Sequence, residues 1–100
     1  MPFKISKFPH AEAQLRALAK RATDLGIYQA FSDALARIED HMQDDPLEWG
    51  DPKYNLSLPG GVVCHGMEWP LVVHFAVYQA DNVVCLLDII AMPRTPLADS

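Results

Sequence analysis

The chain has 100 residues, half of them hydrophobic, and a formal net charge of −5. That length suits one domain spanning 1–100 with its own core, and the acidic balance excludes a chain-wide basic footprint for nucleic acid. No apolar run reaches the roughly 18 residues of a membrane span, and Met1-Pro2-Phe3-Lys4-Ile5-Ser6-Lys7 lacks the apolar core of a signal peptide, so a cytoplasmic protein with no membrane partner is expected.

The charge is uneven. Lys4, Lys7, Arg16, Lys20 and Arg21 face only Glu12 in the first 21 residues, whereas Arg37, Lys53 and Arg94 face twelve carboxylates thereafter. The early cations read as the solvated side of a helix. Cys64 and Cys85 sit in apolar runs and read as buried thiols. A disulfide between neighbouring strands is the less favoured alternative in a cytosolic chain. No Cys-x-x-Cys or paired Cys/His spacing suggests zinc, and no cofactor is expected.

In chain order, Phe3 to Ser6 alternates apolar and polar, as a short edge strand would. Pro9 suits the first turn of a helix. Leu15, Leu18, Ala22 and Leu25 then recur at helical steps, and Gly26 can end the helix in the left-handed conformation. Tyr28, Phe31, Leu35, Ile38 and Met42 form a second apolar stripe, stopped by Asp44-Asp45-Pro46 because the residue before proline is pushed out of helical geometry. The short connection predicts an antiparallel helical hairpin. Residues 46–60 read as a loop anchored by Trp49 and by Leu56 or Leu58. Val62 to His65 reads as a strand and Gly66-Met67-Glu68 as a turn. Leu71–Tyr78 and Val83–Ile90 flank Gln79-Ala80-Asp81-Asn82 as a β-hairpin.

Within that hairpin, Leu71, Val73, Phe75 and Val77 share one face, and Val72, His74, Ala76 and Tyr78 the other. Both faces are apolar enough to require cover. The order (β)ααβββ predicts an α+β fold: an antiparallel sheet of three to four strands with the helical hairpin on one face. His10 and His41 read as solvent-facing helix residues.

This order resembles the RelE/ParE superfamily of bacterial type II toxin–antitoxin toxins over nearly the whole chain. The opening Phe8-Pro9-His10-Ala11-Glu12-Ala13-Gln14-Leu15 is similar to the family's strand-to-helix start. The second helix followed by Asp45-Pro46, the loop ending in Leu58-Pro59-Gly60-Gly61, and Val72-Val73-His74-Phe75 with Val83–Ile90 also look like the family's pattern. The resemblance implies an antitoxin partner and action either on mRNA at the ribosome or on DNA gyrase. RNA-cleaving members usually place arginines in the central and preceding strands, where this chain has Leu71 and His74, and Cys64 and His65. After the last strand they commonly carry His-Arg and a tyrosine, where this chain has Met92-Pro93-Arg94.

RNA cleavage by a 2′-hydroxyl needs a base, an acid and cations for the phosphate. Histidine serves either proton-transfer role near neutrality. The catalytic candidates are therefore His65, His74 and Arg94, with Lys53 and Tyr78 as substrate-binding candidates. The competing assignments are ordinary ones: His74 as a hydrogen-bonded core histidine, His65 as a strand-end polar residue, Arg94 in a salt bridge with Asp88. A second function class matches the same chain. In it a non-catalytic member of the fold uses its apolar sheet face to form a homodimer or bind a peptide.

Overall fold

The computed structural model describes residues 2–55 and 61–98, with the backbone alone for 52–55. Strand β1 (Lys4–Lys7) leads into helices α1 (Pro9–Asp24) and α2 (Tyr28–Asp44). A short helix α3 (Pro46–Trp49) and strands β2 (Asp51–Asn55), β3 (Gly61–Glu68), β4 (Leu71–Tyr78) and β5 (Val83–Ala91) follow. The strands form one sheet in the order β1-β5-β4-β3-β2. Pairings within β2 to β5 are antiparallel, and β1 joins β5 in parallel. The α+β architecture is the one expected, but the sheet is mixed and five-stranded.

The helix boundaries follow the local chemistry. Pro9 opens α1, where its missing N–H has no intrahelical partner to lose. Gly26 takes φ +75° directly after α1, and the chain turns into α2. The Ile27 N–H reaches back to the Ala22 carbonyl at 2.9 Å. α2 ends at Asp44, and Pro46 stops that helix yet starts α3.

The core lies between the helices and one sheet face. Leu71, Val73, Phe75 and Val77 are at most 1% exposed. They cluster with Ala11 and Ala22 of α1 and Phe31, Ala34, Ile38 and Met42 of α2. Each fully buried large side chain contributes about 1.5–3 kcal/mol. On β5, Leu86 and Ile89 both join this core although simple alternation would put them on opposite faces. A bulge resolves this. Phe75 lies opposite Leu86 and His74 opposite Asp88, so Leu87 is the extra residue. The Ile89 N–H beyond the bulge is taken by the Gln14 side chain of α1 at 2.9 Å.

Three sequence expectations need correction. The span read as a loop from 46 contains α3 and β2; residues 56–60, including Leu56 and Leu58, lie outside the described residues. Gly66 is not a turn residue but sits within β3. A Cβ there would lie 2.4 Å from Trp49 Cη2, so the glycine makes room for the indole. His41 is not simply solvent-facing. Its Nδ1–H donates to Asp45 Oδ1 at 2.9 Å, and its ring stacks on Trp49 at 4.8 Å.

Candidate functional site

The sheet face away from the helices carries the chemistry. On β3 and β4 the pairing puts His65 directly opposite His74. Both belong to the face that Phe75 and Cys64 do not share, and both remain partly exposed. Their ring centroids are 5.1 Å apart, tilted by 38°. The same row continues outward on either side, with Asp51 of β2 opposite His65 and Asp88 of β5 opposite His74. A row of Asp51, His65, His74 and Asp88 thus crosses four strands.

The His74 Nδ1 is 2.9 Å from Asp88 Oδ1. An ionised carboxylate only accepts hydrogen bonds, so Nδ1 carries the proton and Nε2 of the neutral ring is left with its lone pair. Side-chain exposures of 35% and 37% keep this pair within reach of a ligand. Among the described residues the expected salt bridge from Arg94 to Asp88 does not form, and the carboxylate pairs with His74 instead.

The other candidates are not gathered around the histidines. Tyr78 shares their face, at the far end of β4 opposite Gly61 and Val83. At the usual rise it is about 13 Å along the strand from His74. Arg94 lies in the turn after β5 with φ +68°, exposed, and in no hydrogen bond or ion pair among the described residues. That turn is tied to the β3–β4 connection by the Met92 N–H, which donates to the Pro70 carbonyl at 2.7 Å. The row joining Leu71 to Ala91 there is about 10 Å from His74 along the strand. Lys53 falls at the register irregularity between Pro52 and Tyr54 of β2; its side chain and that of Tyr54 are outside the described residues.

Sequence reasoning missed both carboxylates of this row as site residues, Asp51 and, at the bulge, Asp88. Strict alternation from Leu86 assigns it to the core face, and only the bulge turns it to the open one. The remaining open-face surface is apolar near the β3–β4 turn, where Met67, Trp69 and Ile90 are about half exposed. Cys64 and Cys85 are free, buried thiols on non-adjacent strands and opposite faces. Burial pushes both pKa values up; Asp51 adds to this at Cys64, and a hydrogen bond with Ser6 partly offsets it at Cys85. Among the described residues no group of three or more His, Cys, Asp or Glu is arranged to hold a metal ion, and no helix is long and apolar enough to cross a membrane.

The five-stranded mixed sheet with a helical hairpin on one face is a fold that this chain shares with solved structures of low sequence identity. Its structural relatives include a chain of the archaeal RelE–RelB complex from Pyrococcus horikoshii OT3. That likeness has a TM-score of 0.63 and 16% identity, and covers 95% of this chain and 100% of the other. A chain of the toxin–antitoxin complex RelBE2 from Mycobacterium tuberculosis matches with a TM-score of 0.58 and 17% identity, covering 99% of this chain and 95% of the other. No protein-family model and no curated protein matches the chain by sequence.

Proposed function

We propose that this protein is the toxin-like component of a type II toxin–antitoxin module, which binds an antitoxin and cleaves mRNA through the histidine pair of its open sheet face. The observation that carries the reading is the cross-strand pair His65–His74, 5.1 Å apart on the face opposite the helices of a RelE-like fold. Two adjacent imidazoles can supply the base for a 2′-hydroxyl and, in the protonated form, the acid for the leaving 5′-oxygen. The exposed Arg94 guanidinium would meet a neighbouring phosphate rather than the scissile one, given its distance along the sheet. Lys53 and Tyr78 are the accompanying substrate contacts. The fold relatives support an antitoxin partner, since both are chains of toxin–antitoxin complexes.

A second reading has its own observations. Asp51 and Asp88 flank the histidines and oppose an approaching phosphate, while Met67, Trp69 and Ile90 offer an exposed apolar surface. These favour a non-catalytic member of the fold that binds protein or forms a homodimer. Tightly induced expression in a bacterial host, with total RNA analysed alongside, separates the readings. The expected result is growth arrest with mRNA loss, abolished by His74→Ala and by Arg94→Ala. Arrest with intact RNA points to a gyrase-type target. Accumulation of soluble protein without arrest selects the interaction module.

A further inference from the structure

The bulge in β5 has a consequence for His74. Without it, a regular ladder continuing from Phe75–Leu86 would set Leu87 opposite His74 and turn Asp88 toward the core. A buried, unpaired carboxylate would then lie between Val73 and Leu86, which costs several kcal/mol. The extra residue instead brings Asp88 into the row of His74 and restores Ile89 to the core. α1 reinforces the distortion from the other face, because Gln14 accepts the Ile89 N–H at 2.9 Å. Bulges re-aim side chains in this way beside functional sites.

The geometry assigns Asp88 as the positioning residue of His74: the β5 bulge presents its carboxylate to Nδ1 and holds the ring in the Nδ1–H tautomer, which leaves the lone pair on Nε2. This deepens the ribonuclease reading, on which its catalytic meaning rests. In that setting His74 is the base. Its Nε2 takes the proton of the 2′-hydroxyl as that oxygen bonds to phosphorus. The phosphorus–5′-oxygen bond breaks, and protonated His65 supplies the leaving oxygen with its proton. Asp88 touches neither substrate nor reacting atom. It keeps the ring oriented and stabilises the imidazolium formed, as a carboxylate behind a catalytic histidine does. Asp51, opposite His65, is the other acidic group facing the pair from a neighbouring strand.

The test reads the tautomer directly, from imidazole ¹⁵N chemical shifts of the full chain at alkaline pH, where the rings are neutral. The expected wild-type signature is protonated Nδ1 and unprotonated Nε2 at His74, lost in Asp88→Ala. In a parallel RNA-cleavage assay, Asp88→Ala should lower the rate about 10- to 100-fold, less than removal of the imidazole itself, with a changed pH profile. Asp88→Glu should recover part of both. A wild-type Nε2–H tautomer overturns the assignment and requires no variant to fold. A Nδ1–H tautomer lost in Asp88→Ala without change in cleavage overturns the catalytic role. Absence of cleavage by the wild type, with the Asp88-dependent tautomer present, overturns the ribonuclease reading while supporting the assignment of Asp88.

Discussion

His41 and His74 make the same hydrogen bond in two different settings. Each donates Nδ1–H to an aspartate Oδ1 at 2.9 Å, and their side chains are 34% and 35% exposed. His41 is also held by an aromatic ring and a second carboxylate. Its ring lies within 3° of parallel to Trp49, which stacks in turn on Phe75, and its Nε2 is 3.7 Å from Glu68. Glu68 also pairs with Arg37 at 3.2 Å, so the cluster joins α2, α3 and β3. His74 instead meets a second imidazole on the sheet face away from the helices. A histidine–aspartate hydrogen bond is therefore not a site by itself. What surrounds the rest of the ring decides whether it braces the fold or remains available for chemistry.

The largest effect belongs to the His41 side. Gly66→Ala places a methyl against the Trp49 ring and should cost about 1–3 kcal/mol in denaturant unfolding. In a Trp49→Ala background the same change should cost clearly less, because the two sites are in contact. Equal costs in both backgrounds would show that the indole is not seated over Gly66. Next in size, His41→Ala should lose about 1–2 kcal/mol through its stack and hydrogen bond, and His74→Ala less than about 1 kcal/mol. The reverse order would dissolve the contrast between bracing and available histidines.

The smallest effect compares the two sheet faces through their thiols. Both pKa values are raised above the ordinary 9.0, chiefly by burial. A raised thiol pKa favours the folded state while the group is protonated. That contribution is complete below the unfolded-state value and is lost as pH rises through the folded-state value. Stability should consequently decline on the alkaline side, beyond about pH 9. Alkylation of native protein should be slow at both thiols and slower at Cys64, 0% exposed beneath the helices, than at Cys85, 7% exposed on the open face. Faster labelling of Cys64 would mean that the helical hairpin opens more readily than the sheet face suggests.

The sequence by itself determined the elements whose signals are local. Apolar stripes at helical spacing, Pro9, Gly26 and Asp45-Pro46 marked α1 and α2, and the alternation of Leu71–Tyr78 sorted its side chains into two faces. The same alternation put His74 and Tyr78 on one face, which is open only because the helices cover the other. Tertiary structure alone decided the rest, because it depends on partners distant in the chain. Gly66 reads as a turn until the Trp49 ring is placed over it. β1 finds its pairing only in β5, nearly the whole chain away. Asp88 reads as a partner of Arg94 until the bulge at Leu87 sets it opposite His74. A one-residue bulge leaves no reliable mark in composition or periodicity, yet it moves every following side chain to the other face of the sheet. For that reason the candidate histidines were legible in the sequence, and the carboxylate that orients one of them was not.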